Sequence, residues 1–225
     1  MERLDAFSLQ TETQPILTIA EQIADKLRDE IISSEIEPGT PIRQSHIADR
    51  FDVSQAPVRE ALGHLAAEGL VEYHSNRGVR VAKLHRDVVC EIAQIRILIE
   101  TDMVKRATKN FASRNETLAK IAIESAAKAD TTLKQLASDK EFHSAIYQSA
   151  EQPITLEVLQ RLRTRYVQYL GYMWKYSDHA PASLNDHKQL LSLMVNGKAS
   201  EAASFLRRHI DASTNAIIMC MPKKE

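Results

Sequence analysis

Apolar residues recur at Ile19, Ile23, Leu27 and Ile31, the spacing of a helix that buries one stripe. That helix should stop before Pro38-Gly39. A short second helix is predicted next, with Ile42, Ile47, Ala48 and Phe51 as its apolar side. Asp52-Val53 forms a tight turn, and Ser54 can cap a third helix running to about Glu68. Pro57 fits there because the first turn has no intrahelical partner for its missing N–H. Gly69 ends that helix. Leu70–Tyr73 and Gly78–Val81 then read as two short strands around a polar tip, His74-Ser75-Asn76-Arg77. Beyond Ala82 the punctuation thins: only Gly171, Gly197, Pro153, Pro181 and Pro222 interrupt a stretch rich in Ala, Leu, Ile, Lys and Glu. Six helices are predicted there, at 86–110, 115–136, 138–150, 153–176, 183–196 and 199–220. The expected fold is mainly α. Residues 1–82 form a winged helix-turn-helix domain with an N-terminal arm, and residues 83–225 an all-α antiparallel bundle.

A helix, tight turn and helix followed by a hairpin is the plan of a winged-helix DNA binder. In that plan the second helix of the pair presents its N-terminal side chains to the major groove, and the wing meets the backbone or minor groove. Those N-terminal positions are Ser54, Gln55, Ala56 and Arg59, with Arg77 and Gly78 at the wing tip. Gln suits adenine, and Arg suits guanine or phosphate. The pattern also fits a plain helical hairpin with solvated Arg and Gln.

Charge complicates the DNA reading. The chain carries a net −1, and residues 1–82 hold 8 Lys and Arg against 14 Asp and Glu. Nearly all of that excess acid lies in residues 1–37. A DNA-facing surface must therefore arise from local placement of arginines, with the first helix turned away, and binding should need two copies. The first fifteen residues lack a basic and apolar run of the signal-peptide kind, so export is not expected. No stretch has the roughly 18 uninterrupted apolar residues of a membrane helix. Cys90 and Cys220 stand far apart and form no metal-type pair, which suits a reducing cytoplasm.

In the second part, Asp139 and His143 are four apart and share a helix face. His187 falls near the start of the next-to-last predicted helix, and His209 lies in the last. One carboxylate and three imidazoles suit a divalent transition metal, zinc first, with nickel, manganese or iron as alternatives. Each residue has a plainer role open to it: a helix-start acid, a packing histidine, a cap, and part of a solvated Arg207-Arg208-His209 face.

The run PGTPIRQSHIADRFDVSQAPVREALGHLAAEGLVEYHSNRGVRVAKL resembles the DNA-binding domain of the GntR family of regulators, above all in VSQAPVREAL and the following L..EGLV. The resemblance covers about residues 15–82 and implies DNA contact by Ser54, Gln55 and Arg59, supported by Arg43, Ser45 and the wing at Arg77 and Gly78. It also implies a homodimer on an inverted-repeat operator. Two positions depart from the family habit of arginine, Gln55 and Ser45. From about residue 86 to 220, DKEFH, NDHKQLL and RRHI resemble the FCD ligand-binding domain of the FadR-like branch. That resemblance implies one divalent ion on Asp139, His143, His187 and His209. It further implies that Arg96, in the R..LE-like segment Arg96–Glu100, faces an effector pocket. Six helices resemble the VanR-type subgroup more than FadR itself, so a small organic acid is expected and a fatty-acyl-CoA is not.

The expected function is therefore an allosteric DNA-binding repressor controlled by a small carboxylate. A regulator that answers to the metal itself, a purely structural metal, and a metalloenzyme fused to a DNA-binding domain are the alternatives. Against the last, Glu141 is the nearby acid and lies on a different helix face from Asp139 and His143. Whether the protein represses or activates depends on operator position, which the chain does not encode.

Overall fold

A computed structural model describes residues 17–75, 78–177 and 180–221. The first helix, α1 (Ile19–Ile32), is fixed at its start by a capping box: Thr18 accepts from the Glu21 N–H, and the Glu21 carboxylate accepts from the Thr18 N–H at 2.7 Å. Its Ile23, Leu27 and Ile31 are buried, as their spacing predicts. Then follow β1 (Pro41–Ile42), α2 (Gln44–Phe51), α3 (Gln55–Ala67), β2 (Val71–His74) and β3 (Gly78–Val81).

The strand β1 departs from the sequence reading, which placed Ile42 in the short helix. It pairs antiparallel with β3, Pro41 opposite Arg80 and Ile42 opposite Val79, giving a sheet of order β1-β3-β2. Two residues are too few for an alternating pattern to show. The turn between α2 and α3 rests on Asp52, which sits in the left-handed region at φ 52°. Ser54 occupies the N-cap position of α3 in extended backbone, but its side chain makes no capping bond. Asn76 and Arg77 of the wing tip lie outside the described residues.

The bundle contains α4 (Arg86–Lys109), α5 (Ser113–Ala127), α6 (Thr132–Gln148), α7 (Pro153–Tyr176), α8 (Ala180–Val195) and α9 (Ala199–Cys220). Six helices form among the described residues, but the break between α5 and α6 falls at 128–131 rather than at Ala137-Ser138. Neither glycine nor proline marks it. Thr131 does, its side chain accepting from the Lys134 N–H as an N-cap. Ser138 instead lies inside α6 and donates to the Lys134 carbonyl. Asn115, expected to open α5, is its third residue and ties the helix to α6 by donating to the Ala145 carbonyl and the Gln148 side chain. Helix α8 begins at Ala180, three residues early, because Pro181 is tolerated in a first turn. His187 is thus mid-helix, and a capping role for it is ruled out.

Helix α7 joins the two parts. One apolar cluster runs from Leu27, Val58, Leu62 and Val79 in the winged part to Tyr166, Leu170 and Met173 on α7. Near the middle of this contact α7 has no side chain: a Cβ on Gly171 would lie 1.8 Å from the Ile32 carbonyl oxygen. Glycine is what lets α7 approach the end of α1 backbone to side. Around that point Lys175 donates to the Ser34 carbonyl at 2.7 Å, and Gln168 to the Ala82 carbonyl at 3.3 Å. The Tyr169 hydroxyl accepts from the His85 N–H at 3.3 Å.

Candidate functional site

Two surfaces concentrate the predicted residues. On the winged part, Arg43, Gln44, Ser45, Gln55 and Gly78 line a groove of about 420 Å³ between β1, the start of α2, the start of α3 and the wing. Ser54, Gln55, Ala56 and Arg59 are all exposed on the first turns of α3. Neither α2 nor α3 has a side-chain cap, and the first residues of both helices line the groove. Four of the seven predicted DNA residues, Arg43, Ser45, Gln55 and Gly78, line this groove, and Ser54 and Arg59 are exposed near the start of α3. Arg77 falls outside the described residues.

Several arginines of the winged part are held by neighbouring groups. Arg28 binds Glu68 and Asp25, Arg50 binds Glu30, and Arg80 donates to the Gly39 carbonyl. Of the α1 acids, Glu30 is held by Arg50 of α2, and Asp25 by Arg28 of α1 itself. Arg43, which lines the groove, and Arg59, exposed on α3, form no ion pair among the described residues.

Within the bundle, five helices converge. Asp139 and His143 come from one face of α6, His187 from α8 and His209 from α9, and all four are buried. One ring nitrogen from each histidine lies within 4.8 Å of the other two. The Nδ1 atoms of two rings are already engaged. His143 Nδ1 meets the Tyr147 hydroxyl at 3.2 Å, and that hydroxyl donates to Glu100. His209 Nδ1 meets an Asp186 carboxylate oxygen at 2.8 Å. Each ring therefore keeps Nε2 for another partner, the role a supporting shell plays for metal-binding histidines. His187 stacks on Phe142 with centroids 4.2 Å apart, and its Nε2 is buried without a hydrogen bond. Asp139 splits its two oxygens. Oδ2 accepts from Arg163 at 2.7 Å, whereas Oδ1 stands 3.5 Å from His187 Nε2 and 3.7 Å from His143 Nε2.

Burial and then the positive Arg163 depress the basicity of His143 well below that of free imidazole. Burial pushes His187 down to about 4, with Asp139 opposing it. Both rings are thus neutral donors near pH 7, as ligation requires. Three buried imidazoles and a carboxylate oxygen with no strong mutual bonds are what a divalent cation would satisfy.

Beside this cluster lies a buried charge network. Arg96 Nε donates to Glu100 at 2.5 Å, and its guanidinium sits 4.3 Å over the Tyr166 ring. Burial alone would favour a neutral Arg96, but the Glu100 carboxylate outweighs it and holds the guanidinium charged. Burial likewise opposes charge on Glu100, and Arg96 and Arg163 overcome it. Arg96, Asp139, His143, Arg163 and His209 line an inner cavity of about 10 Å³, room for one water.

The sequence reading left Arg161, Arg163 and Arg165 undivided along α7. The structure separates them. Arg161 pairs with Glu157 on the outside, Arg165 lies beside Gly69, and Arg163 turns into the site. Tyr147 was not singled out, and Glu100 was named only as the end of the segment Arg96–Glu100. Their signal was available: Tyr147 is one turn beyond His143, and Glu100 one turn beyond Arg96, so each shares its partner's face.

Residues 19–81 match the model for bacterial regulatory proteins of the gntR family, and residues 91–212 match the FCD domain. The chain is 26% identical over 226 residues to the HTH-type transcriptional repressor RspR of Escherichia coli K12, covering 93% of each. It is 39% identical over 88 residues, 39% of its length, to the gluconate operon transcriptional repressor of Bacillus subtilis. Among solved structures, E. coli McbR/YncC matches with a TM-score of 0.74 at 19% identity, over 91% of this chain and 99% of that one, which shows a shared fold.

Proposed function

Because this chain belongs to the GntR family of transcription regulators and carries an FCD domain, we propose that it is a repressor whose grip on DNA is controlled by a small organic acid at a metal site in the bundle. The reading divides the chain into residues 1–82 for DNA and 83–225 for the effector. The observation that carries it is the convergence of three imidazole nitrogens within 4.8 Å, His187 Nε2 among buried groups and without a bond.

One divalent ion, zinc before nickel, manganese or iron, would be held by Nε2 of His143, His187 and His209 with Asp139 Oδ1 as a fourth donor. Such an ion supplies a Lewis-acidic anchor for a carboxylate. Charge bookkeeping supports an anionic partner. Glu100 and Asp139 offset Arg96 and Arg163, so an added dication would leave a buried excess of positive charge. A carboxylate bound against Arg163 and the ion offsets that excess through a charge-assisted bond. Arg96 and Arg163 both line the cavity; Arg96 Nε is held by Glu100 and Arg163 Nη2 by Asp139, so the acid meets their remaining N–H groups.

An inner cavity of about 10 Å³ does not hold an organic acid, so entry displaces a lining helix. Tyr166, Leu170, Met173 and Trp174 of α7 line that cavity, and the same helix seats the winged part through Gly171. Effector binding and domain placement are therefore linked through one rigid element, which is what a coupling between two sites requires.

On the DNA side, Gln55 and Arg59 would read base edges, with Ser54, Arg43, Ser45 and the wing at Gly78 and Arg77 placing the domain on phosphates. Three arginines of the described winged part without an ion pair, Arg43, Arg59 and Arg80, make a weak footprint, which favours a homodimer on an inverted repeat. The test is a thermal shift of purified protein against a panel of small acids, with and without prior chelation. A stabilising acid whose effect vanishes on chelation is the expected result, since a ligand that binds the native state stabilises it. A melting point that chelation lowers and no acid raises would leave the metal as signal or structural ion and refute the acid.

A further inference from the structure

Outside the inner cavity, on the other side of Asp139, Trp174 and Ser183, lies a second hollow of about 290 Å³. Its remaining walls are Ala126, Ala127, Ala129, Gln135, Leu184 and His187. The volume is at the low end for a ligand pocket, and the walls are mostly apolar with few polar groups, the usual composition of a small-molecule site. The hollow lies between the end of α5, the start of α6, the C-terminal half of α7 and α8.

Trp174 stands between the two cavities and lines both. Its Nε1 is buried, and it donates to nothing among the described residues. An indole nitrogen is a donor only, and a buried donor without an acceptor is unfavourable, so a partner with a lone pair belongs there. Resting on the carboxylate reading above, we infer that Trp174 is a selectivity residue for the effector. Its indole N–H donates to a second acceptor on the acid, while the carboxylate sits against the histidine cluster and Arg163. The effector class narrows accordingly to short hydroxy acids, keto acids and dicarboxylates. Simple monocarboxylates lack the second acceptor and bind weakly. The same ring packs against the apolar cluster shared with α1 and lies between Gly171 and Lys175 of the α7 seat. Contact at Trp174 therefore acts on the segment of α7 that holds the winged part.

The chain has a single tryptophan, so its emission reports this position alone. Zinc-loaded full-length protein is titrated with propionate, lactate and succinate, reading tryptophan emission and melting temperature together. Lactate or succinate should shift both, with propionate roughly tenfold weaker. Trp174→Phe keeps an aromatic ring and removes the donor. It should lower affinity for the better acid roughly tenfold, to the level of propionate. An acid that raises the melting temperature without moving the emission, or that binds Trp174→Phe as it binds the wild type, overturns the role of Trp174 and leaves the carboxylate reading standing. Failure of all three acids to raise the melting temperature of zinc-loaded protein overturns both. If Trp174→Phe does not fold, the wild-type emission decides.

Discussion

The winged part and the bundle bury their polar groups in opposite ways. Before residue 83, Glu30 and Ser34 are the buried polar residues among those described, and the core is otherwise aliphatic. The bundle buries Arg96, Glu100, Asp139, His143, His187 and His209 in its centre. The chemistry of an Arg–Glu pair is the same in both, but its setting is not. Arg28 and Glu68 keep about a quarter of their side chains in water, whereas Arg96 and Glu100 are 5% and 0% exposed. A domain that reads DNA needs function on its surface and can fill its core with packing alone. A domain that senses a small charged molecule must keep charge inside, where desolvation makes it unfavourable unless every group is matched.

That contrast can be broken at chosen points. The largest effect is expected from Glu100→Ala, which leaves Arg96 buried without its carboxylate and unpins Tyr147 and, through it, His143. A loss of about 3–5 kcal/mol in denaturant unfolding is expected. A loss below about 1 kcal/mol would mean that water reaches the network. Next comes Gly171→Ala. The added methyl cannot coexist with the Ile32 carbonyl 1.8 Å away, so α7 and α1 must part. A loss of about 1–3 kcal/mol is expected. Limited proteolysis should then cut between the two parts, while metal binding persists. Unchanged stability and proteolysis would place the coupling elsewhere than α7. Arg59→Ala should weaken DNA binding by about 1–3 kcal/mol and leave the melting point alone, since the side chain is exposed and unpaired among the described residues. Equal binding by fluorescence anisotropy would remove Arg59 from the DNA surface. Smallest of all, Glu68→Ala breaks the pair with Arg28, a quarter exposed, and should cost no more than about 1 kcal/mol. A cost near that of Glu100→Ala would erase the comparison.

The same difference governs what the sequence could reveal. Periodicity exposes an apolar core, so α1, α3 and the hairpin were legible from Ile, Leu and Val spacing. It is blind to a polar core, because Glu100, Tyr147 and Arg163 look like solvated face until helices are brought together. The break at Lys128–Thr131 was hidden for a related reason: the surrounding residues are good helix formers, and a threonine cap is a weaker mark than glycine or proline. Strand β1 was invisible because two residues carry no alternation, and its pairing with β3 is long-range. The four metal candidates could be named from their motifs. That His143 and His209 have Nδ1 engaged and His187 has Nε2 free is tertiary information.

The central claim is that acid binding in the bundle changes the grip on DNA. It is tested most directly by selecting a duplex from a random pool with zinc-loaded protein, then titrating a stabilising acid into that complex while following anisotropy. The account predicts release of the duplex by the acid, no release after chelation, and no release in His187→Ala. Retention of the duplex at saturating acid, in protein whose melting point the acid has raised, would contradict it.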